Sequence, residues 1–311
     1  MSDSKERLLD ELRPPAFAIA YRMLGSVAEA EDVVQEALLR VHTAIEQGER
    51  IESPRAYVAT VATRLAIDQL RSARVRRENY VGEWLPEPLV ADPTGDPARQ
   101  AEMADSLSLA FLVLLESLSP EQRAVLLLRD VFDYGYGEIA EIVGKSEDNT
   151  RQLAVRARRH VEQRRPRFEA SREQRDELAR RFFAAAEDGD LGGLEALLAD
   201  DVVLHGDGGG KVPALARSLH GPKRVARTLL AWTRQLGRIP GSTIHRVEVN
   251  GQPGALLLDA AGGLLAVWAL DIAEGQIQVV SSIVNPDKLR QVGPLADLDA
   301  LMKDRDRSSS S

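Results

Sequence analysis

Helical periodicity governs the first quarter of the chain. In AEAEDVVQEALLRVHTAIEQ the apolar residues Val33, Ala37, Val41 and Ile45 recur every four positions, with Val34 and Leu38 beside them, so one stripe faces a core. The opposite side carries Asp32, Gln35, Glu36 and Leu39, a mostly acidic, exposed surface. A second helix is predicted to open at Ser53-Pro54, a cap followed by proline at the first helical position, and to run to about Val75. Burying Val58, Val61, Ala62 and Leu65 leaves Arg64, Arg71 and Arg74 free to point elsewhere, and the helix presents a basic edge.

The periodicity then stops. Residues 78–100 hold four prolines, two glycines and five acids against one arginine, which predicts an extended linker. Within it Trp84-Leu85-Pro86-Glu87-Pro88 is stiff and carries an aromatic anchor, so docking onto another surface is expected. Helices resume at about residue 102, and Ser119-Pro120-Glu121-Gln122 has the form of a capping box. Ile139, Ala140, Ile142 and Val143 form a short apolar helix closed by Gly144. Ser146 can cap a second, basic helix whose Thr150, Leu153, Ala154 and Ala157 face inward. Helix, glycine turn and capped basic helix together spell a helix-turn-helix.

After Arg167 the texture changes. A helix over roughly 173–188 leads into GDLGGLEALLADDVVLHGDGGGK, and another helix covers about 225–236. Strands follow near 243–249, 254–259, 264–272 and 276–284, separated by NGQPG, AAGG and AEGQ turns. Helices followed by an antiparallel meander imply an α+β domain. Residues 291–311, ending DRDRSSSS, are expected to form a disordered polar tail.

Composition narrows the partners. The 311 residues suit two or three domains, and 44% hydrophobic with 28% charged residues reads as soluble and globular. The absence of cysteine excludes a disulfide framework and a thiolate metal site. A charged first segment and no apolar run of about 18 residues predict a cytoplasmic protein with no membrane partner. The net charge of -8 counts against a protein that grips nucleic acid unaided. The charge is uneven, however: residues 64–77 carry five Arg against one Asp, and residues 145–167 carry eight Lys/Arg against three acids. Two DNA contacts and a separate basic protein partner are predicted.

On the helix after Ser146, Asn149, Gln152 and Arg156 lie opposite the core, flanked by Arg151, Arg158 and Arg159. Amide and guanidinium groups pair with base edges in the major groove, and flanking arginines neutralise phosphates. The blander reading is a solvated basic helix in a bundle. In the last domain His205, Asp207 and His245 fall on strand-like runs, and Trp232 and Trp268 can line a cavity, but no paired carboxylate or His-Asp dyad can be placed. His205, His220 and His245 lack metal-ligand spacing. No enzyme activity, catalytic residue, metal or cofactor is expected.

GSVAEAEDVVQEALLRVH and SPRAYVATVATRLAIDQLRS resemble region 2 of extracytoplasmic-function (ECF) sigma factors. LSPEQRAVLLLRDVFDYGYGEIAEIVGKSEDNTRQLAVRARRHV resembles region 4 of the same family. The last domain resembles the SnoaL-like, NTF2-like cone. WLPEP, DGGGK at Asp207–Lys211 and NPDKL at Asn285–Leu289 resemble the SigJ-like subgroup that carries this extension. The resemblance implies a multi-domain fold of two all-α sigma modules, helical sigma-2 and helix-turn-helix sigma-4, plus an α+β cone. The expected boundaries are 8–77 for region 2, 78–105 for the linker, 106–167 for region 4 and 173–290 for the SnoaL-like domain.

The same resemblance implies that Asp32, Gln35 and Glu36 dock on the clamp of RNA polymerase core, which also offers its flap region. It places Arg64, Asp68, Arg71 and Arg74 at the promoter -10 element, although relatives often carry Asn at position 64. Asn149, Arg151, Gln152 and Arg156 would read the -35 element. Trp84, Pro86, Asp207, Gly208, Gly209, Gly210, Lys211, Asn285, Pro286, Asp287 and Lys288 would form a regulatory interface within the chain. There the glycines permit close backbone approach, Asp207 and Lys211 frame them with charge, and Pro286 lets Asp287 and Lys288 project. A small-molecule ligand in the last domain stays open. So do two other readings, a cyclase- or isomerase-type enzyme tethered to a DNA-binding region and a polymerase-independent repressor.

Overall fold

The computed structural model describes residues 2–77, 80–90, 107–162 and 171–297, with side chains from residue 5 to 72 in the first stretch. The chain divides into two units. The first contains α1 (Ser2–Leu24), α2 (Val27–Glu46), α3 (Pro54–Arg77), most of α4 (Leu109–Leu115), α5 (Pro120–Asp130), α6 (Tyr136–Val143) and α7 (Glu147–Glu162).

Caps set these helices where the sequence places them. Ser26 Oγ accepts the Glu29 amide and Ser53 Oγ the Ala56 amide. Ser119 and Gln122 form a reciprocal capping box. The α2 stripe Val33, Val34, Ala37 and Val41 is buried against α1 and α3, while Leu39 on the opposite side is 57% exposed. In the helix-turn-helix, Gly144 closes α6 in the left-handed region at φ 66, and Ser146 Oγ accepts the Asn149 amide at 3.3 Å. Thr150, Ala154 and Ala157 are small and fully buried, which lets α7 lie close to Val125, Leu128, Ile139 and Ile142.

The second unit contains the segment 80–90, helices α8 (Arg172–Asp188), α9 (Leu191–Leu197), α10 (Pro222–Leu236) and α11 (Pro286–Leu289), and strands β1 (Leu198–Asp207), β2 (Leu219–His220), β3 (Thr243–Val249), β4 (Gln252–Leu258), β5 (Leu264–Ala273) and β6 (Gln276–Ile283). The strand order is β2-β1-β6-β5-β4-β3. The four expected strands form the antiparallel meander, and β1 joins it parallel to β6. Register shifts within the β1/β6, β4/β5 and β5/β6 pairings bend the sheet. Phe182, Phe183, Leu194, Val225, Leu229 and Leu230 of the helices pack with Leu204, Leu257, Trp268 and Val280 of the sheet in one core.

One expectation needs correction. Residues 291–297, read as part of a polar tail, are paired: the Leu264 amide donates to Pro294 O at 2.8 Å and the Ala296 amide to Leu264 O at 3.1 Å. The rest of that segment, 298–311, lies outside the described residues.

Gly144 offers a direct check on the helix-turn-helix. Gly144→Ala forces a Cβ into the left-handed region and should cost about 1–2 kcal/mol. Urea denaturation of the full chain should show the loss in the first unit, and an unchanged midpoint would contradict the turn.

Candidate functional site

The parallel pairing of β1 with β6 builds the most ordered polar site of the second unit. Asp207, the last residue of β1, lies beside Ile283, the last of β6, so the segments following the two strands leave the sheet together. Asp207 O accepts the amides of Val284 at 2.9 Å and Asn285 at 3.0 Å. DGGGK and NPDKL, some 75 residues apart in sequence, therefore meet because their strands run the same way.

Asp207 is fully buried. Its Oδ1 accepts Tyr80 Oη–H at 2.6 Å and the Gly209 amide at 3.0 Å. Its Oδ2 accepts the Leu85 amide at 2.9 Å and Lys288 Nζ at 2.6 Å. Two carboxylate oxygens offer about four acceptor positions, and all are filled. Lys288, itself buried, also donates to Leu85 O and faces the rings of Trp84 at 4.3 Å and Tyr80 at 5.2 Å. Burial, followed by the hydrogen bond to Asp207, pushes the Tyr80 hydroxyl well above its usual range, so it remains a donor. Asn285 Nδ2 completes the ring by donating to Tyr80 Oη at 2.8 Å.

Segment 80–90 is thus a strap across the domain. Pro86 and Pro88 keep it extended and lack amide hydrogens, while the amides of Leu85 and Leu89 are used in turn. Leu89 donates to Asn250 Oδ1 at 2.9 Å and accepts the Asn250 amide at 2.8 Å. Val90 bridges Val249 at the β3 edge, and Leu85 and Pro86 are buried. Gly209, at φ 60, has no space for a side chain, because a Cβ would lie 2.3 Å from Asn285 Nδ2. Gly208 and Gly210 are closed in the same way by Val212 O and the Val81 side chain.

The charges differ from the expected frame. Asp207 pairs with Lys288 rather than Lys211, and Lys211 pairs with Asp287 at 2.5 Å on the surface. Asp287 projects as expected, but Lys288 turns inward, because only there can its ammonium reach Asp207.

A second polar cluster flanks the strap. His205 Nδ1 lies 2.6 Å from Glu83 Oε1 and 3.2 Å from Ser218 Oγ, and Ser218 Oγ–H donates to the same Glu83 oxygen at 2.8 Å. Burial pushes the Glu83 carboxyl up, but the hydrogen bonds from His205 and Ser218 outweigh it and hold it below the usual carboxylate range. Nucleophile activation needs serine and carboxylate on opposite ring nitrogens. Here both share Nδ1, and the cluster fastens Glu83 of the strap to β1 and to Ser218. Trp268 is buried in the core, 6.2 Å from Trp232, and His220 and His245 are exposed. Among the described residues no group of His, Asp and Glu can hold a metal ion.

In the first unit, Asp32 and Gln35 are exposed on α2, and Glu36 pairs with Arg40 at 2.7 Å. On α3 the arginines expected to be free are engaged. Arg64 donates to Ile142 O at 2.9 Å and Glu141 O at 2.8 Å, the carbonyls at the end of α6. Arg71 bridges Asp68 and Glu121. The Arg74 side chain lies outside the described residues. On α7, Asn149, Gln152 and Arg156 are exposed on one face with Val155, and Arg151 pairs with Glu147. Arg158, expected to flank this face, is instead held by Asp130.

Three family models match the chain: Sigma-70 region 2 over residues 8–76, Sigma-70 region 4 over 108–161, and a SnoaL-like domain over 179–280. The chain is 38% identical to the Mycobacterium tuberculosis ECF RNA polymerase sigma factor SigJ over 288 residues, covering 90% of this chain and 91% of that protein. It belongs to the ECF sigma factors. The crystal structure of Mycobacterium tuberculosis SigJ superposes with a TM-score of 0.75 at 34% identity, over 92% of this sigma factor and 98% of that chain. The ECF RNA polymerase sigma factor SigG of the same organism is 31% identical over 88% of this chain and 78% of its own. As a member of the family, this chain directs RNA polymerase to promoters, and its SnoaL-like domain shares the SigJ fold. None of its described helices is long and apolar enough to cross a membrane.

Tyr80, Glu83, Leu85, Leu89 and Asn250 belong to the strap site and were not legible as such. Tyr80 and Glu83 border WLPEP, and Asn250 reads in sequence only as a turn residue.

The buried pair gives a quantitative expectation. Asp207→Asn or Lys288→Met alone leaves its partner's polar or charged group unmatched and should cost about 3–5 kcal/mol, with the double variant losing clearly less than the sum. Urea denaturation of the four proteins measures this coupling, and strictly additive losses would contradict it.

Proposed function

We propose that the SnoaL-like domain regulates this sigma factor by holding the linker between its two promoter-reading modules. The observation that carries this reading is the strap. Residues 80–90 follow α3 after two residues and are bonded to the second unit at Asp207, His205 and Asn250. A linker that would otherwise join the two modules freely is pinned at residues 80–90, which changes the effective concentration of one module for the other. Release of the strap restores the longer reach. The domain acts as a structural regulator and not as a catalyst, and the sharing of His205 Nδ1 by Glu83 and Ser218 supports that assignment.

In the same reading, residues 8–77 are region 2, residues 106–167 region 4 and residues 173–290 the regulatory domain, to which the WLPEP part of 78–105 is attached. Asp32, Gln35 and Glu36, with exposed Leu39 beside them, dock on the polymerase clamp. Region 4 meets the flap, and the complex works in the cytoplasm. Arg64, Asp68, Arg71 and Arg74 act at the -10 element, and Asn149, Arg151, Gln152 and Arg156 read the -35 element. The bonds from Arg64 and Arg71 to α6 and α5 must then break before α3 meets DNA.

Run-off transcription with purified core polymerase tests both levels. Arg156→Ala should lower promoter-specific product by about tenfold through a lost base contact, and Glu36→Lys should lower core association instead. Trp84→Ala and Asp207→Ala, which loosen the strap, should shift product yield several-fold at unchanged core affinity. Equal yields from the strap variants and the unaltered chain would refute the regulatory role.

A further inference from the structure

One uninterrupted stretch of this acidic chain carries eight Lys/Arg and no acid. From Gly208 to Val247 there is no acidic residue, yet the stretch contains Lys211, Arg217, Lys223, Arg224, Arg227, Arg234, Arg238 and Arg246. The whole chain is -8, so the remaining residues sum to -16. Such a segregation concentrates positive potential on one part of an acidic protein.

The fold places four of these eight cations on α10 and Arg238 just past its end. Val225, Ala226, Leu229, Leu230 and Leu236 of this helix are buried in the domain core. Lys223, Arg224, Arg227 and Arg234 are exposed, and Arg238 continues the same face past the helix end, at spacings of three, four and seven residues. At 1.5 Å per residue the row from Lys223 to Arg238 is about 22 Å long. Elsewhere several exposed helical arginines are matched by acids one turn away, Arg40 with Glu36, Arg151 with Glu147 and Arg180 with Glu177. Lys211 of the stretch pairs with Asp287, but the α10 cations have no ion-pair partner among the described residues.

We infer that the exposed face of α10 binds the phosphate backbone of the promoter duplex. The row spans about six base pairs at 3.4 Å rise. Its exposed polar groups are cations with Gln235 as the one exposed amide, a composition that suits charge contact with phosphates more than base reading. The large exposed hydrophobic residues, Leu39, Val81 and Val155, all lie elsewhere, so α10 lacks the apolar anchor around which a protein interface is built. The SnoaL-like domain is therefore a third, sequence-independent DNA contact of the initiation complex, distinct from α3 and α7.

Counter-ion release makes this measurable. Holoenzyme assembled from core polymerase and the full chain is titrated, from about 50 to 200 mM salt, against a labelled duplex containing a promoter from which it initiates. Replacing Lys223, Arg224, Arg227 and Arg234 together by Ala should flatten the slope of log affinity against log salt by about 2–4 and weaken binding by about 10–100-fold at the lowest salt. Arg227→Gln with Arg234→Gln should produce about half the change in slope. Replacing the three arginines by Lys should preserve it. Unchanged slope and affinity in both neutralised variants would overturn the inference. A loss that traces to weaker binding of core polymerase would overturn it too, because the face would then serve an acidic protein surface.

Discussion

Asp207 and Lys288 face each other where water is excluded, and removing two charges from water is costly unless every remaining valence is met. Here it is met. Tyr80, Leu85, Gly209 and Lys288 fill the carboxylate, and Leu85 O with the Trp84 and Tyr80 rings surrounds the ammonium. Tyr80, Trp84 and Leu85 supply most of these groups from the strap, and Gly209 and Lys288 supply the rest from the segments after β1 and β6. The pair is satisfied only with the strap in place, so a short linker segment becomes part of the domain fold.

That constraint explains why three separated motifs share one site. DGGGK needs glycines because its backbone must turn within reach of Asn285 and Val81. NPDKL needs a helical turn straight after β6, with Asn285 Oδ1 accepting the Asp287 amide, so that Lys288 swings back to Asp207. WLPEP needs rings for the ammonium and prolines for an extended path that exposes the Leu85 amide. For a sigma factor the consequence is that a segment connecting two promoter-reading modules is chemically owned by a third domain.

The helical half was legible because its signals are local. Ser53, Ser119 and Ser146 cap the helices they precede, and Gly144 stops α6 as its position predicts. Docking of the WLPEP segment was legible from Trp84 and its prolines, but whether the glycine loop would meet this linker or the first module was not. The pairing of charges was not, because β1 and β6 are separated by some 70 residues and nothing in either strand announces that they run parallel. Lys288 reads as a surface lysine until that pairing places Asp207 beside it. Arg64 and Arg71 read as free for the same reason: their partners Ile142, Glu141 and Glu121 lie 50–78 residues away. The acid-free stretch around α10 escapes a motif search because it has no motif, only a missing charge sign.

Amide hydrogen exchange on the full chain tests most directly whether the strap is part of the domain. The Leu85 and Leu89 amides, donated to Asp207 and Asn250, should be protected together, and Asp207→Asn should release Leu85 while the amides of β5 and β6 stay protected. Exchange of Leu85 in the unaltered chain at the rate of an unstructured peptide would contradict the docked strap and the buried pair on which it rests.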